Sequence, residues 1–247
     1  MIIMLIIIII IISVILTIWI WYNPKIMFNM LNRIYKKDKC VRKNFYTEED
    51  IKNIFPIGLE LERDWKEIKQ ECVTLYESLE NKDINYLNNY HIDIGNEKKI
   101  DWTTIPLRLF GINSNKYKCP YLYDKINKNG TKIISCIISI MNANKIIEPH
   151  YGPYEGLLRY QLPLVIPKNN EKNCYLHVNG ENKAWIEGKC LLFDESLEHG
   201  AVNMTDEYRM VLLIDVARPY ISNIYNMINH IVINIMGITS YLMDPLL

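Results

Sequence analysis

The sequence lacks an excess of either charge, and it lacks closely spaced cysteines. Its 247 residues carry 28 Lys and Arg against 28 Asp and Glu. No net field therefore attracts nucleic-acid phosphates, and we expect no nucleic-acid partner. The sequence contains no CxxC pair, so no zinc site is indicated. We expect the dispersed cysteines to be free thiols, with disulfides as the alternative. The six are Cys40, Cys72, Cys119, Cys136, Cys174 and Cys190.

Charge is absent altogether from residues 1–22, which are mostly Ile, Leu, Val and Met. A helix needs about 20 apolar residues to cross a bilayer. The segment has no basic start and no small residues at a cleavage site, which argues against a cleaved signal peptide. Trp19, Trp21 and Tyr22 stand together at its end, where interfacial rings are favoured. We predict a single transmembrane helix that serves as an uncleaved anchor.

A basic linker, residues 23–50, follows the predicted anchor. Only Asp38 opposes the basic residues close behind the apolar segment. The positive-inside rule then predicts that the body of the protein is cytoplasmic, with a lumenal body as the alternative. The basic residues are Lys25, Arg33, Lys36, Lys37, Lys39, Arg42 and Lys43.

Residues 51–220 read as one domain that begins with helices and continues as strands. Thr47 to Asp50 resembles a helix N-cap, and apolar residues from Leu61 to Leu79 recur at helical spacing over about five turns. From residue 132 onward, short β-branched runs are broken by Gly, Pro and Asn, and Asn179-Gly180 predicts a hairpin turn. The fold class is therefore mainly β with flanking helices, arranged as a double-stranded β-helix or jelly roll. The runs are 132–141, 156–166, 174–178, 183–186, 189–193 and 209–216.

The remaining residues, 221–247, carry an apolar stripe at helical spacing interrupted by asparagines. This pattern predicts an amphipathic helix that either packs on the domain or lies on a membrane surface.

Two histidines and two arginines are the candidates for chemistry. His150 and His199 each follow a predicted strand, and two imidazoles at neighbouring strand ends can chelate one divalent ion. Arg209 opens an apolar strand ten residues after His199, and Arg159 lies on an earlier strand. A buried arginine needs an anionic partner, and a dicarboxylate would supply one for each guanidinium.

The stretch from Glu148 to Pro219 resembles the catalytic core of the aspartyl/asparaginyl β-hydroxylases. Weaker similarity reaches back through Asp101-Trp102 and Ser139-Ile140-Met141, so that it covers roughly residues 55–220. The pieces that carry the resemblance are Pro149-His150-Tyr151-Gly152-Pro153, Leu158-Arg159, Leu164-Val165-Ile166-Pro167, Trp185-Ile186-Glu187-Gly188-Lys189, Phe193-Asp194-Glu195-Ser196, Glu198-His199, and Arg209 with Asp215-Val216-Ala217-Arg218-Pro219.

The resemblance implies an enzyme that uses iron(II), 2-oxoglutarate and O2 to hydroxylate its substrate. It makes His150 and His199 the iron ligands and, with Arg209, the residues on which catalysis depends. It also implies a cosubstrate pocket, with Ser139 and Arg209 at the distal carboxylate of 2-oxoglutarate. The pocket residues implied are Ser139, Arg159, Arg209, Trp102, Met141 and Gln161.

Two positions depart from the expected pattern. Gly152 stands where most enzymes of this mechanism have a carboxylate ligand, as it does in the animal aspartyl hydroxylases. Gln161 replaces a family histidine; it can still donate to a carboxylate but cannot be protonated. The architecture has secondary similarity to bacterial lipid A hydroxylases. Three hypotheses follow: hydroxylation of Asp or Asn in a protein, hydroxylation of a membrane-lipid acyl chain, or an inactive jelly-roll binding module.

Overall fold

A computed structural model describes residues 24–79, 102–114, 118–130, 132–168 and 172–243. Helices precede, interrupt and follow two antiparallel sheets. The helices are α1 (Pro24–Tyr35), α2 (Glu48–Ile54), α3 (Ile57–Arg63), α4 (Trp65–Ser78), α5 (Pro120–Lys128) and α6 (Asn223–Met243). The strands are β1 (Trp102–Leu109), β2 (Ile112–Asn113), β3 (Ser135–Met141), β4 (Lys145–Tyr151), β5 (Leu157–Val165), β6 (Cys174–Val178), β7 (Glu181–Ala184), β8 (Leu191–Phe193), β9 (Glu198–Asn203) and β10 (Arg209–Ala217).

The strands form the two facing sheets of a jelly roll. One sheet has the order β2-β1-β3-β10-β5-β8 and the other has the order β4-β9-β6-β7. Strands distant in sequence lie side by side, as β3 with β10 and β4 with β9 do. The predicted fold class, mainly β with flanking helices, is confirmed.

Alternating side chains divide the core into layers. On the outer face of the larger sheet, residues such as Leu107, Ile138 and Leu212 pack against helices that include Ile68 of α4 and Leu122 of α5. On its inner face, Met141, Val211 and Phe193 pack against the smaller sheet through Leu176 and Val178. The functional candidates lie at the edge of this second, inter-sheet layer.

Two local predictions are confirmed by the structure. Thr47 caps α2: its hydroxyl accepts from the Asp50 amide at 3.2 Å, while the Asp50 carboxylate accepts from the Thr47 amide at 2.7 Å. Asn179 and Gly180 both have positive φ and join β6 to β7. All six cysteines are free.

Other expectations need correction. The single helix of five turns that was predicted between Leu61 and Leu79 is divided between two helices: α3 ends at Arg63 and α4 begins at Trp65. The stretch 23–50, expected to be a linker, contains α1 and the start of α2. Strands β1, β2, β4 and β9 were not predicted. Strand β2 has only two residues, and threonine, proline, glycine or charged residues obscure the alternation in the other three.

The predicted anchor, residues 1–22, lies outside the described residues. Within the described ranges, no helix is long and apolar enough to cross a membrane.

Candidate active site

The predicted pocket residues lie on one face of the larger sheet. Residues that pair across antiparallel strands share a face, as do residues two apart on one strand. Met141 pairs with Trp102 on one side and with Arg209 on the other. On β10, Gln161 pairs with Leu213 and Arg159 pairs with Asp215. These two partners lie an even number of residues after Arg209 and therefore share its face. The face that looks toward the smaller sheet therefore carries Trp102, Ser139, Met141, Arg159, Gln161 and Arg209.

His150 and His199 are direct partners in the ladder between β4 and β9. Their ring centroids are 4.3 Å apart. The register between β4 and β9 shifts just before His150, and the backbone of β4 comes so close to Gly200 that a Cβ there would lie 2.8 Å from the Ile147 carbonyl oxygen. The sequence placed both histidines after strands; both are in strands, and this pairing brings their rings together.

Each imidazole presents one nitrogen to the site. The Nδ1 atom of His150 is 2.8 Å from the Glu148 carbonyl oxygen, and Nδ1 of His199 is 2.9 Å from that of Leu197. A carbonyl can only accept, so each Nδ1 carries the proton and donates it. Both Nε2 atoms therefore keep a free lone pair, the arrangement that orients histidine for a metal.

Burial keeps both imidazoles neutral. It lowers the pKa of His150, and burial together with His150 and Arg159 lowers the pKa of His199 to about 3. A neutral imidazole is the form that binds a metal.

The lowered pKa of His199 predicts an acid-sensitive apoprotein. Its folded pKa lies below the ordinary value of 6.5, so its contribution to stability is complete above about pH 6.5 and is lost as the pH falls toward 3. From pH 7 to pH 5, we expect the free energy of unfolding of the wild type to fall relative to His199→Asn by about 2 kcal/mol. Urea denaturation of both proteins at both pH values measures this; a constant difference would contradict it.

Arg209 forms the opposite, cationic part of the site. It is 2% exposed, its Nη1 donates to the Ser139 hydroxyl at 3.1 Å, and its guanidinium lies 4.8 Å from the centre of the Trp185 ring. Its Nε atom is buried without a hydrogen-bond partner, and burial lowers the pKa of Arg209 to about 10. A buried guanidinium with an unused donor is chemically suited to an anion.

Aromatic side chains hold the anion site in place. The indole of Trp102 donates to the Ser139 hydroxyl at 2.8 Å. Gln161 accepts a hydrogen bond of 2.7 Å from the indole of Trp185. The structure thus joins Trp102, Ser139 and Arg209 directly, while Gln161 reaches the same site through Trp185.

Arg159 lies elsewhere on this face and already has partners. It donates to Asp215 at 2.9 Å, and its Nη2 forms an ion pair with Glu195 Oε2 at 2.5 Å. These two carboxylates outweigh burial and raise the pKa of Arg159. Burial raises the pKa of Glu195 to about 7, although Arg159 opposes this. A ligand carboxylate at Arg159 would therefore share the guanidinium with Asp215 and Glu195.

Gly152 occupies the position of the missing carboxylate ligand. Its amide donates to the Glu195 carbonyl oxygen at 2.8 Å, and a Cβ at Gly152 would lie 2.6 Å from that oxygen. An aspartate therefore cannot fit there unless the Glu195 backbone moves. Among the residues that the structure describes, no group of three or more His, Cys, Asp and Glu could hold a metal. A metal bound here would have two histidines as its protein ligands.

A buried ion pair positions the turn before His199. Arg218 donates from Nη1 to Asp194 at 2.8 Å and from Nε to the Glu155 carbonyl oxygen at 2.6 Å. Asp194 also accepts from the Ser196 hydroxyl at 2.6 Å. Arg218 therefore joins the turn before His199 to the loop after His150. No role was predicted from the sequence for Asp194, Glu195, Asp215 or Arg218; charged residues inside otherwise apolar runs were the available signal.

Fold and site together define a jelly-roll domain with paired neutral histidines on one sheet and a buried, partly unpartnered arginine on the other. Such a domain can hold a divalent metal and an anion at one site. Sequence comparison agrees: the family described as aspartyl/asparaginyl beta-hydroxylase matches residues 62–219. The chain belongs to this family, which is a family of hydroxylases.

Three relatives illustrate its range. The ornithine lipid ester-linked acyl 2-hydroxylase of Rhizobium tropici is 32% identical over 168 residues, covering 67% of this chain and 58% of that one. The aspartyl/asparaginyl beta-hydroxylase of Homo sapiens is 31% identical over 165 residues, 64% of this chain and 21% of that one. The aspartate beta-hydroxylase domain-containing protein 2 of Homo sapiens is 30% identical over 172 residues, covering 66% of this chain and 44% of that one. The chain thus matches 58% or less of the length of each relative.

Proposed function

We propose that this chain is an iron(II)- and 2-oxoglutarate-dependent dioxygenase. One observation carries the proposal: His150 and His199 pair as neutral imidazoles, each with its Nδ1 bonded to a carbonyl. The buried Nε of Arg209, which has no partner, adds a place for an anion. Imidazole suits iron(II), and a guanidinium fork suits a carboxylate.

In this proposal the residues have distinct tasks. His150 and His199 would hold iron through Nε2. Arg209 and Ser139 would bind the distal carboxylate of 2-oxoglutarate, Ser139 being oriented by Trp102, while Arg159 would bind the other end. When bound, iron and 2-oxoglutarate supply the O2-dependent oxidation of a C–H bond. Met141, buried beside Arg209 in the register, helps to exclude water.

For the substrate, we propose an Asp or Asn side chain of a protein, the residues for which the family is described. A membrane-lipid acyl chain is the second candidate. Two observations favour it: the Rhizobium tropici relative is an acyl 2-hydroxylase of ornithine lipid, and residues 1–22 form an uncharged apolar segment.

Incubation of the purified full chain with iron(II), 2-oxoglutarate and O2 tests this proposal. Succinate is measured with Asp- or Asn-containing peptides or with lipid extract, and mass spectrometry identifies the substrate that gains about 16 Da, one oxygen. An increase on peptide supports the first candidate and an increase on lipid supports the second. No succinate above background with either would favour the inactive binding module.

We further propose that residues 1–22 are a single-pass membrane anchor and that the domain is cytoplasmic. The uncharged segment and the basic residues behind it support this orientation. A lumenal domain is the alternative.

Glycosylation tests the orientation, because Asn129 and Asn203 lie in the sequence pattern Asn-x-Thr. Asn203 is fully buried and donates to the carbonyl oxygens of Asn142 and Glu207, so the folded chain cannot be modified there. In eukaryotic cells, we expect Asn129 to remain unmodified. A chain directed into the lumen by a cleavable signal peptide is the control in which Asn129 should gain a glycan. A glycan on Asn129 of the native chain would contradict the cytoplasmic placement.

A further inference from the structure

Helix α6 is a surface helix without charged residues. Its 21 residues, Asn223–Met243, include no Asp, Glu, Lys or Arg. Val232 and Ile233 are buried against the domain, while Ile224, Met227 and Ile231 are 63%, 57% and 50% exposed. An exposed helix face in a water-soluble protein normally carries charged residues. Apolar residues on both faces suit a second apolar phase or partner at the outer one.

Helix α1 packs on the same hydrophobic cluster and also exposes apolar residues, although it carries Lys25 and Arg33. Phe28 and Tyr35 are buried with Val232 and Ile233 of α6. Ile26, Met30 and Ile34, spaced by four residues, are exposed on the opposite side. Both helices thus expose apolar side chains outside the cluster that they share. We name this the α1/α6 surface; it consists of Ile26, Met30, Ile34, Ile224, Met227, Ile231 and Ile238.

Basic residues border the α1/α6 surface. A groove of about 490 Å³ between the end of α1 and the start of α6 is lined by Lys37, Lys39, Ile221 and Ile224, among others. Asp38 also lines it, but its carboxylate accepts from the backbone amides of Ile221 and Ser222. Within the described chain, no ion pair engages Lys37 or Lys39. The border therefore suits an anionic partner.

We propose that the α1/α6 surface docks onto the anionic face of a lipid bilayer. The apolar side chains enter the headgroup region, and Lys37 and Lys39 meet lipid phosphates. The inference rests on the proposed membrane anchor and does not depend on the proposed enzymatic activity.

The position of the surface in the chain favours a bilayer over another occupant. Helix α1 begins at Pro24, two residues after the apolar segment 1–22 ends. Its 12 residues extend about 18 Å. With residues 1–22 in a bilayer, every residue of α1 lies within about 25 Å of that bilayer. Helix α6 packs on the same hydrophobic cluster as α1. Basic residues bordering apolar ones match an anionic bilayer, whereas a second copy of this surface would bring like charges together.

Docking would place the bilayer against α1, which contacts the loop that follows His150. Asn32 of α1 donates to the Pro153 carbonyl oxygen at 3.0 Å and accepts from the Glu155 amide at 2.9 Å. These residues form the loop that follows His150. Helix α1 is therefore joined directly to the loop that follows the candidate ligand His150.

Photocrosslinking of the full chain in nanodiscs tests the proposal. The photoreactive residue p-benzoylphenylalanine is placed at Met30, at Ile231, or at Ile186 as the control. Met30 and Ile186 are both 59% exposed, but Ile186 lies by β7 and outside the α1/α6 surface. We expect lipid adducts at Met30 and Ile231 and none at Ile186. In phosphatidylglycerol nanodiscs, Lys37→Glu should lower the adduct yield at Ile231 by roughly fivefold.

Each other outcome overturns the proposal. A dimer crosslinked through Ile231 would identify a second copy as the occupant, and a crosslink to residues 1–22 would identify the chain's own segment. Equal lipid adducts at Ile186, or none at Met30 and Ile231, would remove the docking surface. Extraction of the chain from membranes by alkaline carbonate would overturn the anchor as well. Succinate formation, measured separately, reports on the enzyme and is independent of all these results.

Discussion

Replacing His199 with alanine is expected to weaken iron(II) binding and to reduce 2-oxoglutarate turnover by more than about a hundredfold. Loss of a residue that only orients a metal ligand costs about 10- to 100-fold, and loss of a ligand costs more. Among the residues that the structure describes, His150 and His199 are the two protein ligands available here, because the backbone of Glu195 fills the space beside Gly152. His150→Ala should have the same effect, since the two imidazoles are equivalent partners in the ladder.

A third histidine on the smaller sheet provides the control for this variant. His177 lies on β6, next to β9, and bonds to Asn182 in its own hairpin. His177→Ala should bind iron and turn over 2-oxoglutarate like the wild type. Anaerobic titration with iron(II), followed by succinate assays, measures both quantities. Full turnover by His199→Ala, or equal losses in His177→Ala and His199→Ala, would refute the ligand assignment.

Arg209→Met is expected to have two effects of opposite sign. Loss of the buried guanidinium should raise the Kd for 2-oxoglutarate by about 30-fold or more, since loss of one partner of a buried charge pair costs about 2–5 kcal/mol. In the absence of ligand, the same change should raise the free energy of unfolding, because it replaces a buried charge that has an unused Nε with an apolar side chain of similar size. A residue with only a structural role would not show this combination.

Arg108 is the matched control for Arg209. It is also buried, but three protein oxygens satisfy it: Ile133 O at 2.9 Å, Asn113 Oδ1 at 2.6 Å and Gly130 O at 3.0 Å. Arg108→Met should therefore lower the free energy of unfolding by about 1–3 kcal/mol, because it leaves these acceptors unpaired. It should leave the Kd for 2-oxoglutarate unchanged. Calorimetric titration and urea denaturation compare the two variants, and destabilisation by Arg209→Met with unchanged Kd would contradict the assignment.

The main features of the site could be predicted because they depend on local sequence. The strand runs predicted two facing sheets, and the motifs around His150 and His199 predicted both histidines. The ladder pairing of these two residues, 49 positions apart, could not be predicted, since strand partners distant in sequence leave no local pattern. The strand β4 was missed for a related reason: Glu148 and Pro149 interrupt its alternation at the irregular register before His150.

The surroundings of the arginines depended on tertiary contacts as well. The sequence suggested the same task for Arg159 and Arg209, yet Arg159 is paired with Asp215 and Glu195 whereas Arg209 keeps an unused donor. Asp215 and Arg159 become partners only because β5 and β10 pair in one register. The assignment of Arg159 to 2-oxoglutarate stays a prediction.

Metal-dependent binding of 2-oxoglutarate tests the central claim most directly. The full chain is titrated anaerobically with 2-oxoglutarate, with and without iron(II), alongside His199→Ala and Arg209→Met. The claim predicts binding that requires iron in the wild type, is lost in His199→Ala and is weakened in Arg209→Met. Binding of equal strength without iron, or no binding to the iron-loaded wild type, would contradict it.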